Sequence, residues 1–128
     1  MRAVVIGAGV GGLTASIALQ RAGDEVAVLE RRVDTGTLSE GGGMVIWHNA
    51  LRALRSLDVD LDGIGVPLEE IPWRSSRDEP LGAWRVEEMK ERFGVDVRGV
   101  TRAALHPHLL SWVREGFRDH CDWMGKEP

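Results

Sequence analysis

Three glycines near the start of the chain and one acid after them have the residue types and the spacing needed to bind a nucleotide. Gly7, Gly9 and Gly12 follow the pattern GxGxxG, and Glu30 lies 18 residues after Gly12. Glycines at these positions permit a sharp turn and let a pyrophosphate approach the backbone closely, and an acid at this distance can accept hydrogen bonds from ribose hydroxyls. The chemistry that these residues suggest is therefore the binding of a dinucleotide.

A strand, a helix and a second strand are needed to position these residues. Residues 3–6 are an unbroken apolar run, which predicts a parallel strand covered on both faces. The helix after the glycines offers unpaired N–H groups and a positive dipole end to phosphates, Gly23 predicts its end, and residues 26–29 predict the second strand. The stripe of this helix that is predicted to pack on the sheet consists of Gly12, Ala15, Ala18, Leu19 and Ala22.

Agreement among all these features favours a nucleotide-binding βαβ unit over a turn of purely structural use. The glycine pattern alone is weak evidence, because such spacings also arise by chance. The alternative interpretation of Glu30 is a solvated acid at a strand end. A ribose contact requires the Glu30 carboxylate to face the glycine turn and not the protein interior. Arg31 and Arg32 either contact the adenosine side of the cofactor or are solvated. Because Glu30 would repel a 2′-phosphate, NAD or FAD is favoured over NADP.

Length, composition and charge limit the functions that are open to the chain. Its 128 residues can form one domain but not a dinucleotide domain together with a separate substrate domain. The balance of 16 basic and 20 acidic residues, without a cluster of one sign, argues against nucleic acid as a partner. The glycines make the N-terminal run a poor signal peptide or membrane span, and the single cysteine, Cys121, fits a reducing compartment. We therefore expect a cytoplasmic protein that binds neither nucleic acid nor a membrane.

The rest of the sequence predicts shorter elements. Asn49 is the predicted N-cap of a helix, Pro72 restricts its strand to an edge or a bulge, and Pro107 either kinks the last helix or shifts its start to near residue 106. Trp73 and Trp84 are either core aromatics or a surface for strands that the chain lacks. The pattern predicts a glycine loop or connector at residues 33–43 and a short strand at residues 44–47. It then predicts a hairpin at residues 68–86, a short helix at residues 87–93 and a third strand at residues 95–100.

Four segments of the chain resemble, in order and spacing, the N-terminal part of the FAD-dependent aromatic hydroxylases, which are single-component flavoprotein monooxygenases. The first segment is shared with many FAD and NAD proteins, but its combination with the later ones is more discriminating. The resemblance covers residues 1 to about 115, and its segments are residues 7–15, 28–31, 41–54 and 100–105.

The resemblance implies roles in FAD binding for eleven residues. Glu30 would contact the ribose, Arg31 the adenosine region and Arg102 the cofactor, although Arg102 is alternatively a surface residue in the first turn of a helix. The pyrophosphate would face Gly7, Gly9, Val10, Gly11 and Gly12, and the flavin side would face Gly43, Met44 and Val45.

The sequence also departs from the family pattern at four positions. Gly41 stands where relatives often carry a basic residue, and His48 stands where proline is common. Ser16 replaces a usual alanine, and Pro107 falls inside the expected helix. His48 is more simply a structural residue than a proton carrier.

The resemblance implies an NAD(P)H- and O2-dependent hydroxylation of a small aromatic substrate. The family's second FAD motif, its substrate-binding sheet and its C-terminal helical part are not found in the 128 residues, and the predicted hairpin would lead toward that absent substrate domain. We therefore predict an incomplete FAD-binding domain at residues 1–116 and a poorly ordered tail at residues 117–128. Such a truncated or split form would bind FAD weakly or not at all alone and would be inactive alone, and in a split enzyme a second chain would supply the missing domain.

Two other functions remain open at this point. A small NAD-binding oxidoreductase would use the same βαβ unit, but neither an acid–base pair nor a Tyr-x-x-x-Lys motif supports it, and the chain has no tyrosine. A nonenzymatic module could use the unit as a nucleotide-binding scaffold.

Overall fold

Alternating strands and helices make up the part of the chain that the structure describes. The computed structural model describes residues 1–31 and 41–113, and the backbone of residues 117–118. None of the helices in these ranges has the length and the apolar character needed to cross a bilayer. The elements in chain order are β1 (Arg2–Ile6), α1 (Val10–Arg21), β2 (Glu25–Leu29), β3 (Gly43–Ile46), α2 (His48–Ser56), β4 (Val66–Pro67), β5 (Glu70–Arg74), β6 (Pro80–Arg85), α3 (Val86–Phe93), β7 (Arg98–Thr101), α4 (Arg102–Trp112) and β8 (Phe117–Arg118).

The strands form three sheets, one of them parallel. In the parallel sheet the order is β1-β2-β8, and residues 2–6 pair with residues 25–29. An antiparallel sheet has the order β3-β7-β4, and β5 pairs with β6 as a hairpin. The predicted α/β fold with a parallel sheet is therefore confirmed. That the hairpin leads toward a further domain stays a prediction.

The last strand of the parallel sheet comes from the predicted tail. Phe117 and Arg118 pair with Val28 and Leu29 of β2. This pairing involves only the first two residues of the predicted tail. The residues after them lie outside the described part of the chain, so the division at residue 116 stays a prediction.

The fully buried side chains of helix α1 lie outside the predicted stripe, although Gly12 of that stripe does pack against β1 and its turn. The buried side chains are Leu13, Ser16 and Ile17, whereas Ala15 and Ala22 are exposed. Leucine and isoleucine remove more apolar surface from water than alanine does, so the helix orientation that buries them is favoured. The buried hydroxyl of Ser16 is satisfied because it donates a hydrogen bond to the carbonyl oxygen of Gly12 at 2.8 Å.

The predicted glycine roles at the ends of this helix are confirmed by the backbone. Gly7 and Gly23 have φ values of +96° and +87°, which L side chains rarely adopt. At Gly12 the reason is close packing, because an added Cβ would overlap the carbonyl oxygen of Gly7. The start of α1 therefore lies directly against the turn that follows β1.

The core joins the parallel sheet and α1 to α2, α4 and the antiparallel sheet, and among the described residues it leaves one face of β1 uncovered. Val26 and Val28 of β2 are buried with aliphatic side chains of α1 and α4, including Leu13, Ile17, Leu105 and Leu109. Val4 and Ile6 are 62% and 86% exposed. The expectation that β1 is covered on both faces is therefore wrong for the described residues, because only the face that carries Ala3 and Val5 packs on the core.

Three boundaries differ from the sequence-based expectation. Helix α2 begins at His48 after Trp47, so Asn49 is not its N-cap. Strand β7 covers Arg98–Thr101 and is antiparallel to its neighbours. Helix α4 starts at Arg102 and contains Pro107, so its start is not shifted to near residue 106. The Thr101 side chain caps this start by accepting a hydrogen bond from the Ala104 N–H at 3.2 Å.

The hairpin carries an aromatic pair at the surface. Trp73 on β5 and Trp84 on β6 are 45% and 40% exposed, and their ring centroids are 4.7 Å apart. A register irregularity between Trp73 and Arg74 agrees with the bulge that Pro72 predicts. The two tryptophans are therefore not core aromatics.

The contact at Gly12 makes a prediction about stability. Gly12→Ala should lower the free energy of unfolding by about 1–3 kcal/mol, because the added methyl group forces α1 away from the turn. Gly11→Ala is the matched control, since its added Cβ meets no atom within 4 Å and alanine favours a helix over glycine. Urea unfolding followed by circular dichroism measures both variants. Equal stability of the two would contradict the packing described here.

Candidate cofactor-binding site

The glycine turn is held at the carboxyl end of the parallel strands. The N–H of Gly7 donates a hydrogen bond to the carbonyl oxygen of Leu29 at 2.7 Å, which ties the turn to the end of β2. The chain then passes Ala8 and Gly9 and enters α1 at Val10. Ligands of open parallel sheets bind at this end of the strands, so the turn lies where a cofactor is expected.

The start of α1 has the properties of an anion site. Its cap residue is Gly9, which has no side chain to accept hydrogen bonds from the first turn, and the first turn contains no acidic residue. The first N–H groups of a helix lack intrahelical partners and lie at its positive dipole end. A Cβ added at Gly9 or Gly11 would meet no atom within 4 Å, so open space lies beside these backbone groups. These residues fit a pyrophosphate that approaches the backbone closely.

Glu30 faces the glycine turn and is largely buried there. One of its carboxylate oxygens accepts a hydrogen bond from the N–H of Ala8 at 2.8 Å, and only 8% of the residue is exposed. The interpretation of Glu30 as a solvated strand end therefore does not apply. A carboxylate accepts several hydrogen bonds at once, so the bond to Ala8 is compatible with a ribose contact, which stays a prediction.

Arg31 directly follows Glu30 and is exposed. This position is compatible with a contact to adenosine, and that contact stays a prediction. Arg32 and most of the predicted glycine loop lie at residues 32–40, outside the described residues.

The second group of predicted residues lies where β3 meets α4. Gly43, Met44 and Val45 belong to β3 and pair with β7, and Val45 is 38% exposed. Arg102 is the first residue of α4 and is half-buried. Its backbone N–H donates to the carbonyl oxygen of Gly42 at 3.5 Å. The structure thus brings residues 42–45 and Arg102 together, and their contacts with a cofactor stay predictions.

The backbone conformation at residue 41 favours glycine. Its φ is +141°, which disfavours any side chain, and an added Cβ would lie 3.5 Å from Cδ of Arg102. The side chain of Arg102 therefore lies beside the position where relatives often carry a basic residue. The departure at residue 41 is explained by this conformation.

His106 contacts the glycine turn, although no sequence motif indicates it. It is 2% exposed, and its Nε2 lies 2.7 Å from the carbonyl oxygen of Ala8. His106 follows Arg102 by four residues, and such residues share one face of a helix. This spacing is the one sequence signal that could have indicated His106. It does not identify the contact with Ala8 unless the packing of α4 is already known.

His48 has a packing role. Its ring stacks on Phe93 with centroids 3.8 Å apart and an interplanar angle of 7°, beside a surface cavity of about 770 Å³ between β6 and α3. Its buried Nδ1 has no hydrogen-bond partner among the described residues. These contacts support the structural interpretation over the catalytic one.

Comparisons with known proteins confirm the resemblance. Residues 2–61 match a family model described as an FAD binding domain. The FAD-dependent urate hydroxylase of Klebsiella pneumoniae is 30% identical over 119 residues, which are 90% of this chain and 30% of that protein. The 3-hydroxybenzoate 6-hydroxylase of Polaromonas naphthalenivorans is 32% identical over 117 residues, which are 88% of this chain and 28% of that protein.

A solved structure agrees with these relatives. Klebsiella pneumoniae HpxO complexed with FAD and uric acid has a TM-score of 0.78 and 27% identity, over 94% of this chain and 31% of that one. The chain therefore spans about a third of the length of the proteins it matches. It is homologous to the N-terminal, FAD-binding portion of flavin-dependent aromatic hydroxylases.

The bond between Glu30 and Ala8 makes a prediction about stability. Glu30→Ala should lower the free energy of unfolding by about 1–3 kcal/mol, because the buried Ala8 N–H loses its acceptor. Glu30→Gln keeps an acceptor oxygen and should lose clearly less. Glu25→Ala, at the other end of β2, is the control, because Glu25 forms only an exposed ion pair with Arg2. Thermal and urea unfolding of the three variants measure the differences, and a Glu30→Ala variant as stable as Glu25→Ala would refute the bond.

Proposed function

We propose that the glycine turn and the start of α1 bind the ADP half of FAD, and that this portion serves a flavin-dependent hydroxylation of a small aromatic substrate. The observation that carries the proposal is the open helix start at Gly9 and Gly11 with the Glu30 carboxylate at the same turn. Homology to FAD-dependent hydroxylases supports FAD over other nucleotides.

Each part of the turn has a distinct task in this proposal. The N–H groups at the start of α1 and the helix dipole bind the pyrophosphate without a basic side chain. Glu30 accepts hydrogen bonds from the ribose, and Arg31 lies on the adenosine side. Gly7 and Gly12 let the turn and the helix approach each other closely enough to present these groups together.

Residues near Arg102 contact the flavin side of the cofactor in the same proposal. Gly43, Met44 and Val45 offer backbone groups along β3, and Arg102 offers a positive charge beside Gly41. Bound FAD would supply the redox chemistry, with NAD(P)H as electron donor and O2 as oxidant. The residues of this chain bind the cofactor and orient it.

We further propose that hydroxylation requires protein in addition to these 128 residues. The chain spans about a third of its relatives, and the uncovered face of β1 exposes Val4 and Ile6. An apolar strand face of this kind is covered in α/β proteins. The protein that completes the enzyme is either a further part of the same polypeptide or a second chain.

A cytoplasmic location is proposed from the single cysteine.

A binding experiment tests the cofactor assignment. FAD, ADP, FMN and NADH are added separately to the chain, and thermal unfolding and flavin fluorescence are followed. A ligand at ten times its Kd stabilises a protein by about 1.4 kcal/mol, which corresponds to roughly 5 °C for a chain of this size. We expect weak binding of FAD and ADP, none of FMN, and no hydroxylase activity. A tightly held stoichiometric flavin would refute the incomplete site, and stabilisation by NADH but not by FAD would favour an NAD-binding enzyme.

Two variants then separate the halves of the proposed site. Gly9→Ala should weaken FAD and ADP binding alike by about tenfold or more, because its methyl group enters the open space beside the phosphate-binding amides. Arg102→Gln should weaken FAD binding and leave ADP binding unchanged, because it lies on the flavin side. Fluorescence and calorimetric titrations give the dissociation constants, and unaltered unfolding temperatures of both ligand-free variants are the control. Wild-type affinities in Gly9→Ala would exclude the turn as the phosphate site.

A further inference from the structure

The peptide groups on both sides of Ala8 are fixed by two elements that are distant in sequence. Ala8 is fully buried, and its N–H donates to Glu30 at 2.8 Å. Its carbonyl oxygen lies 2.7 Å from Nε2 of His106, which is 98 residues away on α4. Because a carbonyl oxygen only accepts hydrogen bonds, Nε2 of His106 must carry the proton.

The bond from His106 sets the direction of the next backbone amide. The carbonyl of Ala8 and the N–H of Gly9 belong to one trans peptide unit, in which the two groups point in opposite directions. Since the carbonyl points to His106 on α4, the N–H of Gly9 points away from α4. Gly9 is partly exposed, and among the described residues an added Cβ there would meet no atom within 4 Å, so open space adjoins Gly9.

Packing alone does not explain a histidine at this position. His106 is flanked on the buried face of α4 by Leu105 and Leu109, which are fully buried. An apolar residue would fill the same space without burying an imidazole, whose polar atoms lose water contacts. What the imidazole adds is a donor that reaches the glycine turn.

We infer that His106 is a positioning residue for the cofactor, which aims the Gly9 amide at the pyrophosphate by holding the Ala8–Gly9 peptide. This inference rests on the proposed function, because it assigns the turn to phosphate. His106 does not touch the cofactor and takes no part in proton transfer. Glu30 holds the preceding peptide unit, so the turn presents its amides in one fixed orientation.

His108 provides a matched control in the same helix. Its Nε2 lies 2.7 Å from the carbonyl oxygen of Asp60 and 3.3 Å from Nε1 of Trp112, so His108 contacts a part of the chain other than the glycine turn. A loss of stability without a loss of ligand affinity is therefore the expected result for His108→Leu.

The test compares His106→Leu, His106→Gln and His108→Leu with the wild-type chain at a temperature at which all are folded. We expect His106→Leu to raise the Kd for ADP about tenfold, as for a buried acceptor left without its donor. His106→Gln should restore affinity to within about threefold, because its amide nitrogen can donate from a similar position. His108→Leu should leave the Kd unchanged. Wild-type affinity in His106→Leu would overturn the inference and leave the proposed function intact.

Nuclear magnetic resonance gives an independent readout that needs no variant. Long-range proton–nitrogen spectra of the wild-type chain report which ring nitrogen of His106 carries the proton. Protonation at Nε2, together with a shift of the Gly9 amide signal on addition of ADP, is the expected result. An unprotonated Nε2 would overturn the inference even if His106→Leu failed to fold. If the wild-type chain bound neither ADP nor FAD, the proposed function would fall and this inference with it.

Discussion

The approach of α1 to the end of β1 is the constraint on which the site depends. The chain turns at Gly7, and α1 starts so close to this turn that Gly12 has no room for a side chain. A larger residue would separate the helix start from the carboxyl ends of the strands, and the amides of the first turn would no longer lie beside Glu30. The packing of α1 against the turn and the proposed binding of phosphate at the start of α1 therefore both depend on Gly12.

The local pattern predicts the βαβ unit well because its determinants are local. The glycine spacing, the apolar runs and the acid after β2 each reflect a short-range requirement, and the structure has the predicted order of strand, glycine turn, helix and strand. The buried face of α1 is harder to predict because small and apolar residues occur around most of its circumference, so its periodicity does not single out Leu13 and Ile17. Only the packing of α4 and the sheet decides which side is buried.

Long-range contacts could not be predicted from the sequence pattern. His106 meets Ala8 across 98 residues, and nothing near either residue marks the partner. The uncovered face of β1 likewise could not be predicted, because the sequence pattern of an apolar strand is the same whether one face or both faces are covered. The resemblance to the hydroxylases supplied what the pattern could not, since it singled out residues 43–45 and Arg102 as candidates for contacts with the cofactor.

Gly41 shows why one substitution need not restore a family pattern. The positive φ at residue 41 penalises every side chain, whereas Cδ of Arg102 lies at an ordinary contact distance of 3.5 Å from an added Cβ. A basic residue at position 41 would therefore be strained unless the backbone of this loop took a different path. The obstacle to such a residue is the path of the main chain and not a lack of space beside Arg102.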